Sequence, residues 1–324
     1  MTNDSLISGI NRTKPDRWKA DIISSVDMYN RWFMEFAPSA YRETRITTTL
    51  NVESTLRITN NLTDVSTSLL KSNPEVLPIL RMSTCPPLAV DRLVGLAGVS
   101  KNTVVAMEAG KLPGRMPDTS LDEELSRIGT IIRKMTDPDI FVWLQRDMPA
   151  SKREIHRAAT IIADRLCGAV ANPIIRNAQE KRQLGAIAAW LEASGYKRAA
   201  SGGHYKSMEP GTYSFHMNIP VMLEGGLKSI NIPVDAVVMP FASSAGDMPL
   251  LIEAKSAGDF INVNKRRKEE VMKMTHLRKN FGQSLRYILF LSGYFDSGYL
   301  GYGAAEGIDW VWEHRIDDLA GFGI

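Results

Sequence analysis

The chain has 324 residues, of which 44% are hydrophobic and 23% charged, with a formal net charge of +3. That length holds one large or two ordinary domains, the composition is that of a soluble globular protein, and so small a charge excludes a global basic field for nucleic acid. The two cysteines, Cys85 and Cys167, have no CxxC spacing, which excludes a cysteine zinc cluster and fits a reducing compartment.

In chain order, the polar start MTNDSLISG has no signal core, and no apolar run approaches a membrane span, so a cytoplasmic protein without membrane contact is expected. Trp18, Ile22, Val26, Tyr29, Phe33 and Phe36 recur at steps of three and four, predicting an amphipathic helix over 17–37 with its aromatics in the core. Residues 41–67 are polar and β-branched, and the spacing of Val52, Leu56 and Ile58 leaves their type open. Arg42 and Arg45, three apart, would share one helix face there, toward phosphate or solvent.

The stretch 88–113 reads as a helix, a turn at Gly98, and a second helix opened by Ser100 as its N-cap. This pattern is similar to a helix-turn-helix of the phage-repressor type, in which Lys101, Asn102 and Thr103 would lead into a DNA groove. Two packed helices of an all-α domain are the other reading. After a break at 113–118, helices are expected over 121–134, 139–145 and 151–170, with Pro173 interrupting before a further helix over 177–194.

Beyond a glycine-rich loop at 200–211, segments 213–222 and 228–238 read as strands around a turn at Glu224-Gly225-Gly226. The second of them enters the stretch IPVDAVVMPFASSAGDMPLLIEAK, residues 232–255, which holds two short apolar runs separated by a small-residue loop. Such runs are strands buried on at least one face, and on the second, Glu253 and Lys255 share a face about 7 Å apart. Charge inside apolar strands is costly unless a metal or a partner compensates it. Asp235 and Glu253 offer hard oxygen ligands suited to Mg²⁺, and Lys255 could orient water or stabilise developing charge. The bland alternative is an edge strand with a surface Glu–Lys pair.

A basic helix start follows at Lys265, Arg266, Arg267 and Lys268, where four cations oppose the helix dipole and a bound phosphate would relieve the cost. Val271, Met274, Leu277 and Phe281 mark that helix's buried stripe, and 287–291 (YILFL) is a further buried strand. In the glycine- and aromatic-rich ending, Trp310 and Trp312 are read as core. The five histidines show no HExxH or other paired metal spacing.

With Asp235 as the motif aspartate and Glu253-Ala254-Lys255 as the ExK, the chain resembles the PD-(D/E)xK nuclease superfamily, although Val234 separates Pro233 from Asp235. Four stretches at 17–38, 77–102, 250–270 and 298–319 resemble more closely the XamI-type family of type II restriction endonucleases. That resemblance implies an α+β fold with a restriction-endonuclease-like α-β-β-β-α-β core over 172–324, preceded by a mainly helical domain over 1–171. It also implies catalysis by Asp235, Glu253 and Lys255 and metal binding by Asp235 and Glu253, with an accessory acid on the core's first helix. Glu180 is the better placed candidate for that acid and Glu192 the alternative.

The activity implied is Mg²⁺-dependent hydrolysis of double-stranded DNA at a palindrome, GTCGAC in this family, leaving 5′-phosphate ends. A homodimer would match the site's two-fold symmetry. A DNA methyltransferase would be the functional partner. Two alternatives are a repair or junction-resolving nuclease of the same superfamily and a non-enzymatic helix-turn-helix regulator, against which the intact Asp235, Glu253 and Lys255 argue.

Overall fold

The computed structural model describes residues 9–199, 203–222, 229–244, 246–282 and 285–324, without the side chains of 262 and 264–266. Its helices α1 (Pro15–Ile58), α2 (Thr67–Ser72), α3 (Leu77–Met82), α4 (Val90–Ala97), α5 (Lys101–Glu108), α6 (Asp118–Met135) and α7 (Lys152–Ala193) come first. Then follow β1 (Lys197–Arg198), β2 (Thr212–Met222), β3 (Ser229–Met239), β4 (Leu250–Ala257), α8 (Phe260–Phe281), β5 (Tyr287–Gly293), α9 (Ser297–Ala305) and β6 (Asp309–Trp312). Contacts divide the chain into two compact units, one of Ala37–Ile175 and the other of Arg176–Ile324 with the chain's start up to Phe36.

The described residues from 9 to Phe36 thus belong with the C-terminal part of the chain. Side-chain chemistry explains this. The Asp309 carboxylate accepts the backbone N–H groups of Ile10, Asn11 and Arg12 at 2.6, 3.0 and 3.0 Å. Trp18 packs edge-on against Trp310 with ring centroids 5.4 Å apart, and Arg315 holds both oxygens of Asp21 at 3.0 Å. Nothing in local sequence pattern announces contacts across nearly 300 positions.

The helical unit buries Leu56, Leu70, Leu77, Leu80, Leu93, Val104, Met107, Leu125, Ile128 and Phe141 in one core. Gly129 of α6 is required there, because a Cβ at that position would stand 2.5 Å from the Val65 carbonyl oxygen. Arg81 and Glu108 form a bidentate pair with both contacts at 2.7 Å, tying α3 to α5. The helix–turn–helix expected over 88–113 is present as α4 and α5: Gly98 takes the left-handed conformation at φ 60°, and the Ser100 side chain accepts the N–H of Asn102.

Several local expectations change or are resolved. The open segment 41–67 is helical as far as Ile58, because α1 runs straight through Pro38. Pro173 likewise does not interrupt α7. An internal proline forfeits one hydrogen bond and costs roughly 3 kcal/mol, which buried turns before it (Ala159, Ile162, Ala163, Cys167) and after it (Leu184, Ile187, Leu191) outweigh. At 139–145 only a short 3-10 turn forms, Val142–Gln145, since the Asp137 side chain captures the N–H groups of Asp139 and Ile140. Part of α7 also forms an 18-residue window of mean hydropathy 1.3, apolar enough by length and composition to cross a membrane, contrary to the expectation that no run comes near that. A third of that window is buried inside the protein.

In the other unit the six strands form one sheet in sequential order. β2, β3 and β4 are antiparallel, whereas β1 pairs parallel with β2, and β4, β5 and β6 are mutually parallel. Alternation decides the two faces. Ala236, Val238, Leu250, Ile252, Ile288 and Phe290 pack under Leu184, Ile187 and Leu191 of α7. Val237, Met239, Leu251, Leu289 and Leu291 meet Met274 and Leu277 of α8, together with Trp310 and Trp312. Each such buried side chain contributes about 1.5–3 kcal/mol, so the two helices are clamped onto opposite faces. The order α7-β2-β3-β4-α8-β5 is the α-β-β-β-α-β core expected, within an α+β fold. The turn expected at Glu224-Gly225-Gly226, and 200–202 of the glycine-rich loop, lie outside the described residues.

Candidate active site

Asp235 and Glu253 are brought together where two strands part. β3 and β4 are paired as far as Ala236 with Ile252, and the next residues along each strand are Asp235 and Glu253. Past that point the N–H of Ala254 turns to the Asp235 side chain, which accepts it through Oδ2 at 2.8 Å. Asp235 is pushed up to about 6 from its ordinary 3.8, by burial first and by the neighbouring Glu253 second. Glu253 is 3% exposed, and its Oε1 accepts from Lys255 Nζ at 2.8 Å. Burial alone would lower the Lys255 pKa, but Glu253 and Glu270 on its ammonium reverse this and raise it.

The helix after β4 contributes two residues that sequence reasoning missed. Lys273 of α8 donates to Glu253 Oε1 at 2.6 Å, and Glu270 of α8 holds Lys255 Nζ at 3.0 Å. The strand's acid and base thus pair crosswise with the helix's base and acid, and α8 presents them three residues apart on one face. The signal was in the sequence: Glu270, Met274 and Leu277 share the periodicity of the buried stripe, so a charge falls within it. The hydroxyl of Tyr287, at the start of β5, donates to Glu270 Oε2 at 2.9 Å.

From the opposite face, Gln183 of α7 donates to the carbonyls of Lys255 and Phe290 at 3.2 and 3.1 Å, anchoring the helix over the end of β4. Glu180 lies three residues earlier. One ligand atom from each of Glu180, His216 and Asp235 falls within 4.8 Å of the others. His216, the second group sequence reasoning missed, lies between Phe215 and Met217, which pair with Ala236 and Val234, so β2 sets it opposite Asp235. Its φ of 52° is unusual for a non-glycine strand residue and carries no sequence signature. The other candidate acid, Glu192, instead accepts the Tyr213 hydroxyl at 2.6 Å.

The donor set fits a hard divalent cation. Glu253 Oε2 is buried with no hydrogen-bond partner among the described residues, an arrangement that is costly unless a cation takes it. Among the described residues, three carboxylates, Asp235, Glu253 and Glu270, stand around the two ammonium groups of Lys255 and Lys273.

The residues expected to meet DNA fall in both units. The basic run is not at a helix start, because α8 begins at Phe260 and Val263 is already buried ahead of it. The dipole argument therefore loses its force, since that effect fades within the first turn. Arg267 is half-buried with its guanidinium 4.9 Å from the centre of the Tyr302 ring, and Lys268 is exposed. The side chains of Lys265 and Arg266 lie outside the described residues. Lys101 and Asn102 are exposed on the first turn of α5, where Lys101 pairs with Asp91 at 3.0 Å.

A family model described as XamI restriction endonuclease matches residues 60–312. The chain is 50% identical over 316 residues to the type II restriction enzyme SalI of Streptomyces albus G, an alignment covering 97% of this chain and 99% of that enzyme. No solved structure gives a significant match.

Proposed function

The chain belongs to the XamI restriction endonuclease family and is a type II site-specific deoxyribonuclease, and we propose that it cuts with Asp235, Glu253 and Lys255. In this reading Asp235 and Glu253 hold Mg²⁺, with Glu180 as an accessory acid and His216 beside it. The observation that carries it is the buried Glu253 Oε2, without a partner among the described residues, next to Asp235 at the parting of β3 and β4.

When bound, Mg²⁺ supplies charge neutralisation at the scissile phosphate and activation of the attacking water. The protein's own groups do the rest. Water attacking in line forms a new bond to phosphorus as the bond to the 3′-oxygen breaks, and the proton that the water gives up balances the one the 3′-oxygen takes, leaving a 5′-phosphate and a 3′-hydroxyl. Lys255, held as an ammonium by Glu253 and Glu270, is a donor rather than a base. It orients the water or stabilises the charge that gathers on the phosphate oxygens. Burial of the site strengthens each of these interactions relative to water.

The substrate is duplex DNA, and the target sequence expected for the family is GTCGAC. A palindrome is matched by two-fold protein symmetry, so the acting form is read as a homodimer. Lys265, Arg266 and Lys268 on α8, and Lys101 and Asn102 on α5, are proposed DNA contacts, with Arg267 committed in part to Tyr302. Lys101's pair with Asp91 is exposed and therefore weak, so a phosphate can displace Asp91. A methyltransferase protecting the same sequence would be the functional partner, and the cytoplasm, where the DNA is, the place of action.

The test is digestion of plasmid DNA carrying GTCGAC, with Mg²⁺ or with a chelator, followed by mapping of the ends. Discrete bands that need Mg²⁺ and carry 5′-phosphates at GTCGAC are expected. Cleavage that persists in chelator, or that requires branched DNA, overturns the reading.

A further inference from the structure

We propose that Glu270, braced by Tyr287, is a positioning residue that fixes the Lys255 ammonium for the cleavage step. The inference rests on the assignment of Lys255 as catalytic made above. Lys255 ends in a flexible stem whose ammonium has three donor directions and no shape of its own. Glu253 Oε1 accepts one at 2.8 Å and Glu270 Oε1 forms an ion pair with the ammonium at 3.0 Å, and among the described residues nothing further holds it, so a donor remains for substrate or water.

Glu270 is itself immobilised. It is 4% exposed, and its other oxygen accepts the Tyr287 hydroxyl at 2.9 Å. Tyr287 opens β5 in register with Leu251 of β4, so the brace is referred back to the strand that carries Lys255. Stability does not account for a carboxylate at this point of an apolar helix face. An apolar residue there would match the Met274 and Leu277 stripe, and a buried ion pair is often no better than a hydrophobic replacement. The second anchor also differs in kind from the first. Glu253 is a proposed metal ligand, and a cation that draws on its charge loosens its hold on Lys255. Glu270, held to Tyr287, keeps the ammonium in place regardless.

The experiment compares wild type, Glu270→Gln, Tyr287→Phe, the double variant and Lys255→Ala in full-length protein. Each is assayed for single-turnover cleavage of a cognate duplex in Mg²⁺, for binding of the same duplex in Ca²⁺, and for thermal unfolding. Glu270→Gln keeps the shape and is expected to slow cleavage about 10- to 100-fold while duplex affinity stays at the wild-type value. Tyr287→Phe should slow it less, and the double variant no more than Glu270→Gln alone, because the hydroxyl acts through Glu270.

Wild-type cleavage by Glu270→Gln while Lys255→Ala is inactive overturns this proposal and leaves the catalytic assignment standing. Activity in Lys255→Ala overturns the assignment beneath it. A loss of duplex affinity matching the loss of rate makes Glu270 merely structural and also overturns the proposal. Should Glu270→Gln not fold, Tyr287→Phe decides: slowed cleavage with intact binding supports the proposal, and an unchanged rate overturns it.

Discussion

Asp235 substitutes for a strand at the place where β3 and β4 separate: its Oδ2 accepts the backbone N–H of Ala254 at 2.8 Å, just beyond the last paired residues, Ala236 and Ile252. The same side chain therefore closes the sheet and faces the proposed metal site, and different substitutions should pull those two roles apart. Asp235→Asn keeps an acceptor for Ala254 but loses the charge, so cleavage should vanish with no loss of stability. Asp235→Ala should be equally inactive and also less stable by about 1–3 kcal/mol, the cost of an unsatisfied buried N–H. Urea unfolding of the two variants separates the roles. Equal stability would mean that water replaces the carboxylate.

The pH dependence has a definite sign. Asp235 is raised to about 6 by burial and then by Glu253, so the folded metal-free protein favours its protonated form. That contribution to stability is complete below the ordinary value of 3.8 and is lost as the pH rises through about 6. Asp235→Asn has no such loss, so wild type should fall in stability relative to it between those limits. A divalent cation needs the ionised form, so affinity for Mn²⁺ should climb toward pH 6 and level above it. Calorimetric titration across this range checks it, and a flat affinity would assign the metal to other groups.

Lys273 holds Glu253 Oε1 at 2.6 Å, and its ammonium opposes a cation taken by the other oxygen, Oε2. Lys273→Met should therefore tighten Mn²⁺ binding by about tenfold or more, given that hydrogen bonds to charged groups are worth roughly 1.5–3 kcal/mol. The metal-free protein should lose stability at the same time. Unchanged or weaker Mn²⁺ binding would show that Lys273 remains with Glu253 in the loaded site.

For the basic run, Lys268 and Arg267 should behave differently. Lys268 is exposed, so Lys268→Ala should weaken binding to all duplexes alike and lower the salt slope by roughly one unit if it meets one phosphate. Arg267→Ala should instead cost stability, through the lost stack on Tyr302 and the packing of its stem. Binding titrations at several salt concentrations, with cognate and non-cognate duplexes, distinguish the two. A selective loss of cognate binding would move Lys268 from phosphate contact to base reading.

At the start of α5, Asn102→Ala should leave the helix intact, because the cap is made by the Ser100 hydroxyl to the Asn102 backbone N–H. If this turn reads a base edge, cognate affinity should drop about five- to a hundredfold, 1–3 kcal/mol, with non-cognate affinity unchanged. No change in either would return α4 and α5 to a purely structural role.

Features that depend on neighbours in the chain were legible in the residues. Alternation placed β2 to β5 within a residue or two and set Glu253 and Lys255 on one face. Helical spacing found α5, α6 and the stripe of α8, and Ser100 with Gly98 marked the turn before α5. Tertiary structure decided what depends on distance between segments. It alone brought Lys273 to Glu253 and Glu270 to Lys255, set His216 opposite Asp235, and bound Asn11 to Asp309. It also carried α7 through Pro173, where buried turns on both sides outweighed a local penalty that the sequence shows plainly. The physical reason is common to all of these. Periodicity fixes which face a side chain takes, but the partner it meets there depends on how the elements pack. An ionic or hydrogen-bonded pair leaves no local pattern to read.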